Sequence, residues 1–267
     1  MRFVVCVKQV PDTAEVKVDP RTNTLNRKGV PSIVNPYDMH AVEEAVRWKE
    51  ALGGEVILIS MGPPQAEKAL RKALELGADR AILLTDRAFA GSDTLATSYV
   101  LALAIRSLGP VDLILCGKQA IDGDTGQVGP GIARRLRLPQ LTYVLKIESL
   151  DRQEIVVWRK LADGRERVRA RLPALVTVVK DINTIRYAPL PNLIQAQRAE
   201  VEVWGAADLE VDRSKVGLKG SPTQVVKIFP PPGRPGGEVL NPDGREVDAA
   251  VAQVVDNLVT RKIISNR

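Results

Sequence analysis

Leu113-Ile114-Leu115-Cys116-Gly117-Lys118-Gln119-Ala120-Ile121-Asp122-Gly123-Asp124-Thr125-Gly126-Gln127-Val128-Gly129-Pro130 is an apolar run that breaks into a glycine-rich turn and then into a helix start. Four consecutive apolar residues without polar alternation read as a strand buried on both faces, the pattern of a parallel sheet. Gly117, Gly123, Gly126 and Gly129 permit close backbone approach and positive φ, and Pro130 suits the first turn of a helix. A strand, a turn and a helix in this order form half of a crossover unit, so this stretch sets the class as α/β.

Working outward, residues 3–7, 55–60 and 80–84 are further compact apolar strands. Ala41, Val42, Ala45, Val46, Lys49 and Leu52 follow a helical period, with Lys49 at the edge of the stripe. Ala66, Ala69, Leu70, Ala73 and Leu74 do the same, with Gly77 placed to stop that helix. Leu95, Tyr99, Leu101, Ala102, Ile105 and Leu108 make a third, closed by Gly109-Pro110. Repeated strand–helix–strand units imply right-handed crossovers and a doubly wound, mainly parallel sheet of the Rossmann-like nucleotide-binding kind.

After residue 140 the pattern changes. Residues 141–150, 154–160 and 167–171 read as paired strands, with Asp163-Gly164 as a turn, and 172–179 as another buried strand. An irregular stretch, 181–192, holds Pro189 and Pro191. Prolines and glycines crowd residues 222–242, which predicts an extended linker. Residues 248–262 read as a final amphipathic helix. The expected organisation is an α/β domain over 1–213, containing a loop at 181–196, and a C-terminal arm and helix over 214–267. The apolar face of that helix needs a partner to cover it.

Composition excludes several classes. No run reaches 18 apolar residues, so no transmembrane helix is expected, and the N-terminus reads as a strand, not a signal peptide. Cys6 and Cys116 both lie inside apolar runs, as small buried hydrophobes do, which fits a reducing cytoplasm. One histidine, His40, and no cysteine cluster argue against a metal site or a histidine-based triad. The net charge of +6 is spread along the chain, and aromatics at 4% are too few for single-strand stacking platforms, so nucleic acid is not an expected ligand.

In open parallel sheets, ligands lie at the carboxyl ends of the strands. Four turns there carry suitable residues: Lys8 to Asp12, Asn35-Pro36-Tyr37-Asp38, Met61-Gly62-Pro63, and Gly117 to Pro130. In the last, backbone N–H groups and the helix dipole favour a phosphate. Asp122 and Asp124 suit ribose hydroxyls, and Thr125 and Gln127 suit phosphate or base. Alternatively the turn is only a tight connection. A second cluster, Phe89-Ala90-Gly91-Ser92-Asp93-Thr94-Leu95-Ala96-Thr97, enters a helix, where Ser92 or Asp93 also serves as a plain N-cap. Asp38 and Glu43 equally fit as first-turn acids on a helix dipole. Neither a GxGxxG after the first strand nor a GxxxxGK[ST] occurs, so neither a standard dinucleotide fold nor a P-loop is indicated.

Taken together, Val7-Lys8-Gln9-Val10, Asn35-Pro36 with Ala41-Val42-Glu43-Glu44-Ala45-Val46-Arg47, Gly117-Lys118-Gln119-Ala120-Ile121-Asp122 and Arg186-Tyr187-Ala188-Pro189-Leu190-Pro191-Asn192 resemble the β subunit of the electron-transfer flavoprotein family. The resemblance is loose only after about residue 210. It implies a heterodimer with an α subunit that carries FAD, and the apolar face of the C-terminal helix is expected to dock on that subunit. Electrons then pass between dehydrogenases and other redox partners, such as an acyl-CoA dehydrogenase or a quinone-linked oxidoreductase. The implied nucleotide contacts are Cys6, Asn35, Pro36, Tyr37, Asp38, Met61 and the segment from Gly117 to Val128. The implied partner-recognition loop is 181–196, with Leu190 as its apolar anchor. Asp122 to Pro130, Met61, and Phe89, Gly91, Ser92, Asp93, Thr94 and Thr97 are similar to the electron-bifurcating branch. There the β subunit holds a complete FAD that takes a hydride from NADH. One electron then goes to the α-subunit flavin and the other to a ferredoxin or flavodoxin. The alternatives are an ordinary electron carrier with bound AMP, and a nucleotide-binding regulatory module without redox chemistry.

Overall fold

The computed structural model describes residues 1–12, 18–19, 24–25, 31–226, 236 and 247–264. The chain divides into a unit over Met1–Ile228 and a second over Phe229–Arg267. In chain order the first unit contains β1 (Arg2–Cys6), β2 (Gln9–Pro11), β3 (Val18–Asp19), β4 (Thr24–Leu25), β5 (Ser32–Val34), α1 (Pro36–Leu52), β6 (Glu55–Met61), α2 (Glu67–Leu74) and β7 (Arg80–Leu84). It continues through α3 (Thr94–Ser107), β8 (Leu113–Gly117), α4 (Val128–Leu136), β9 (Gln140–Leu150), β10 (Glu154–Lys160), β11 (Arg165–Arg171), β12 (Ala174–Val178), α5 (Leu190–Arg198) and β13 (Val201–Trp204). The second unit contains α6 (Val247–Thr260), whose Val251, Val254 and Val255 are exposed. Most of the expected linker lies outside the described residues.

A nine-stranded sheet runs β11-β10-β9-β12-β8-β1-β6-β7-β13. From β9 through β13 every pairing is parallel, and β10 and β11 add an antiparallel extension. The two-residue strand period divides the core between the two faces. Phe3 and Val5 pack with α1 and α2 on one side, and Val4 and Cys6 with α3 and α4 on the other. The mainly parallel α/β architecture is the one the apolar runs predict.

Several boundaries differ from the sequence expectation. The strand expected over 172–179 is shorter, Ala174–Val178, because Pro173 has no N–H to give a ladder. The irregular stretch ends sooner than 192, since α5 begins at Leu190 with Pro191 in its first turn, where the missing N–H costs nothing. Edge strand β13 was not foreseen. The compact unit also runs on past residue 213, because Val216 and Ser221 are buried in it. Tyr143 adopts φ +59 inside β9, close to register irregularities on β12 and β10. That bulge marks where the parallel sheet gives way to the antiparallel extension.

Two buried acids of α1 tie the chain after β12 to the sheet. Glu43 is 3% exposed and receives the Arg186 guanidinium at 3.0 Å; Glu50 receives the same guanidinium at 2.6 Å. Glu44 accepts the Asn183 amide at 2.9 Å. A third acid, Asp38, joins β1 to β8: its carboxylate accepts the Lys8 N–H at 2.8 Å and the Gly117 N–H at 3.1 Å. Burial pushes the Asp38 carboxyl up to about 7, against hydrogen bonds from Asn35, Lys8 and Gly117 that pull it down.

Arg186→Met should leave Glu43 as an uncompensated buried charge and cost about 3 kcal/mol in urea unfolding. A loss below about 0.5 kcal/mol would assign the pair a surface-like role. For Asp38 the folded value lies above the ordinary carboxyl value, so its favourable contribution is complete at low pH and lost as pH rises. Relative to Asp38→Asn, the wild type should lose up to about 1.4 kcal/mol per pH unit between about pH 4 and about pH 7. Urea unfolding at pH 5 and pH 8 measures this; an unchanged difference would mean an ordinary carboxyl.

Candidate nucleotide-binding site

The crossover through α1 carries the chain from β1 to β6, while β8 lies on the other side of β1. The carboxyl ends of β1 and β8 therefore flank a topological switch point, where open sheets bind ligands. Asn35, 1% exposed, shapes this crevice from below. Its amide donates to the Gln119 carbonyl at 2.9 Å, and its side-chain oxygen accepts the Ile121 N–H at 3.3 Å. Pro36 opens α1, and Asp38 sits one turn in. A Cβ on Gly117 would stand 2.3 Å from the Asp38 Oδ1, so only glycine admits this joint.

The turn after β8 is held by its own polar groups. Asp124 adopts φ +50 and Gly126 φ +62. The Asp124 N–H donates to the Ala120 carbonyl at 2.8 Å, and the Gln119 amide donates to the Asp124 Oδ1 at 2.6 Å. Asp122 takes the Lys8 ammonium at 2.7 Å across the crevice. Gly129 is fixed by packing, because a Cβ there would meet the Thr177 methyl at 2.7 Å. Thr125 and Gln127 are exposed and Gly123 faces open space. The N–H groups of Thr125, Gly126 and Gln127 donate to no protein acceptor among the described residues. Free N–H groups at the start of α4, with Pro130 in its first turn, are what an anionic phosphate requires.

The second cluster adjoins the first. The Thr94 hydroxyl donates to the Gln127 side-chain oxygen at 2.9 Å, so the start of α3 touches the turn before α4. Ser92 and Asp93 are engaged otherwise. Asp93 caps α3 by accepting the Leu95 and Ala96 N–H groups, and also takes the Thr223 N–H at 3.1 Å. Ser92 donates to the Phe89 carbonyl and accepts the Gly217 N–H at 3.0 Å. Gly91 has φ +74 and abuts Leu218. Thr97 is half-buried one turn after Thr94, and Phe89 is buried in the core.

Cys6 and Cys116 are register partners at the ends of β1 and β8, both buried. The hydrogen bond to Cys6 and burial push the Cys116 thiol well up, so Cys116 is not a thiolate nucleophile. Met61 ends β6 half-buried, and the Ser60 hydroxyl before it is buried without a hydrogen-bond partner. Val128 packs against the α3–α4 side of the core. Lys118 and Lys180 hold their ammonium groups over the Tyr37 ring at 5.8 and 5.1 Å, a flank the sequence did not disclose for Lys180. Leu190 is separate from the crevice. It opens α5 with 68% exposure, beside the fully exposed Tyr187. Among the described residues no group of three or more His, Cys, Asp or Glu can hold a metal, and no helix is long and apolar enough to cross a membrane.

The sequence pattern of the family described as "Electron transfer flavoprotein domain" matches residues 22–209. The chain is 53% identical to "Protein FixA" of Bradyrhizobium diazoefficiens over 241 residues, covering 88% of this chain and 84% of that protein. It is 49% identical to "Electron transfer flavoprotein subunit beta" of Thermoanaerobacterium thermosaccharolyticum, covering 99% of this chain and all of that one. Against "Caffeyl-CoA reductase-Etf complex subunit CarD" of Acetobacterium woodii the identity is 47%, with 99% and 100% covered. Relatives this close over this length, with the matched region spanning both crevice clusters, place the chain in the electron transfer flavoprotein family.

Proposed function

We propose that this chain is the β subunit of a heterodimeric electron transfer flavoprotein of the electron-bifurcating kind, with FAD as its own nucleotide. The observation that carries the FAD reading is the Thr94–Gln127 hydrogen bond, which sets two polar clusters side by side. AMP has one phosphate and needs only the turn before α4. FAD has two phosphates and a ribityl chain, and the start of α3 supplies further donors where they are needed. The similarity to CarD, named as part of an Etf complex with caffeyl-CoA reductase, supports the same branch.

In this reading the flavin supplies hydride acceptance from NADH and release of its electrons along two paths, to the α-subunit FAD and to a ferredoxin or flavodoxin. The chain's own part is placement. Thr125, Gly126 and Gln127 present N–H groups to phosphate, Asp122 and Asp124 face ribose hydroxyls, and Thr94 and Thr97 reach the second phosphate and the ribityl chain. Asn35 and Asp38 fix the floor, while Asp122, Asp124 and Thr94 exchange or share their bonds to Lys8, Gln119 and Gln127 with the ligand. The arm and α6 dock on the α subunit, and Leu190 anchors a dehydrogenase. The AMP reading has one observation in its favour: Ser92 and Asp93 spend their hydrogen bonds within the protein, leaving fewer free groups at the second cluster.

Replacing Thr94 and Thr97 with Val in the purified heterodimer tests the cofactor. Each hydrogen bond lost to a charged group should cost about 1.5–3 kcal/mol, so flavin content falls from two per heterodimer towards one. Full flavin retention at unchanged affinity would make both hydroxyls structural and remove the second cluster as support for FAD, whereas one flavin plus one AMP in the unmutated heterodimer would decide for AMP. For Leu190, exposed at the start of α5, Leu190→Ala should slow electron exchange with the dehydrogenase about tenfold, as a lost apolar anchor does. NADH-dependent flavin reduction should stay intact; equal loss of both would indicate a folding defect instead.

A further inference from the structure

Strand β11 reads Arg165-Glu166-Arg167-Val168-Arg169-Ala170-Arg171, and its burial alternates without a break. The four arginines are exposed on one face, while Val168 and Ala170 turn to the core on the other. Successive arginines on a strand face stand about 7 Å apart. Opposite them on β10, Arg165 faces Lys160, Arg167 faces Trp158, Arg169 faces Val156 and Arg171 faces Glu154. Lys146 of β9 adjoins Trp158. This face thus sets six basic side chains against Glu148 and Glu154, with Asp181 reaching Lys160 at 3.9 Å.

At its centre Glu148 accepts the Trp158 indole N–H at 2.6 Å and the Arg167 guanidinium at 2.7 Å, which pre-orients an aromatic and an arginine side by side. Arg169 reaches Glu154 only at 3.9 Å, and Arg165 and Arg171 form no ion pair among the described residues. Helix α4 packs on β12, β8 and β9. Beyond it Arg167 and Arg169 have side chains 54% and 71% exposed. Charges on a terminal strand often serve to deter edge-to-edge pairing. Here, however, the stripe points off the face of the sheet and not along its open edge.

We infer that the outward face of β10 and β11 docks a protein partner with a carboxylate-rich surface, specifically a small acidic electron carrier. The inference rests on the reading that this family member exchanges electrons with other proteins. A like-signed array with a central Trp–Arg pair is the composition of a steered interface, in which the rim sets the encounter rate and the centre holds the complex. Phosphate backbones fit less well, because Glu148 and Glu154 sit within the array and would oppose them.

The test uses the full heterodimer and a carboxylate-rich bacterial ferredoxin as probe. Binding is followed by tryptophan fluorescence, with Trp158→Phe to assign the signal. The combined Arg165→Gln, Arg169→Gln, Arg171→Gln variant spares the Arg167–Glu148–Trp158 cluster. It should bind about tenfold more weakly at about 20 mM salt and match the wild type at about 500 mM, where screening removes long-range attraction. Arg169→Gln alone should give about a threefold loss, which keeps the idea testable if the combined variant folds poorly. Equal affinity of wild type and single variant for ferredoxin overturns the proposal. So does loss of heterodimer assembly, which would make this face the subunit contact, or tighter binding of single-stranded DNA than of ferredoxin. Flavin content of the same preparations reports separately on the cofactor reading, since the fluorescence titration needs no flavin.

Discussion

The crevice at the carboxyl edge depends on one buried carboxylate. Asp38 accepts N–H groups from the ends of both β1 and β8, strands that part company just beyond it. At a switch point the backbone N–H groups past the last ladder bond have no neighbouring strand to receive them, and leaving them buried and unpaired is costly. A carboxylate with two acceptor oxygens satisfies one N–H from each strand. The cost is desolvation, which is why burial drives this carboxyl so far up. Gly117 must be glycine to admit it, and Asn35, three residues earlier, uses the same helix start to hold the Gln119–Ile121 turn.

From that joint the two halves of the site follow by chain geometry. Holding residues 119–121 down leaves residues 123–127 free to arch over the crevice. Asp124 and Gly126 take left-handed conformations there, and the N–H groups of Thr125, Gly126 and Gln127 meet no protein acceptor among the described residues. On the proposed function this turn serves FAD and AMP alike, because both carry an adenylate. The proposed choice of FAD over AMP rests on α3, and there little is spare: Thr94 already touches Gln127, so a ligand filling both clusters would have to join that bond, not merely sit beside it.

The parallel strands were legible because burial on both faces leaves no polar residue in Val4-Val5, Ile57-Leu58 or Ile114-Leu115. The Gly117–Pro130 turn was legible because glycine and proline report backbone conformation directly. Helix α5 was not, since Pro189 and Pro191 read as breakers unless one knows that the second falls in a first turn. The pull of Glu43 and Glu44 on residues 183–186 was equally hidden. On the sequence these are surface acids of a helix; only the fold makes them buried, by bringing partners 139 and 143 positions away.

The strap over residues 216–223 shows the same limit in a way that bears on function. Ser92 and Asp93 read as ligand contacts or as plain caps, and the sequence offers no third possibility. In the structure Asp93 is a cap, yet its second oxygen receives Thr223 and its own N–H donates to Ser221. Ser92 holds Gly217. The segment that leads into the C-terminal arm is therefore tied to the very turn that presents Thr94 to Gln127. Any force on the arm root is felt first at these hydrogen bonds, each worth about 1 kcal/mol net, and not in the core behind them. On the proposed reading, in which the arm engages the α subunit and the crevice holds the nucleotide, the start of α3 is the part of the site tied to the arm root, while the Asn35–Asp38 floor is anchored between two central strands.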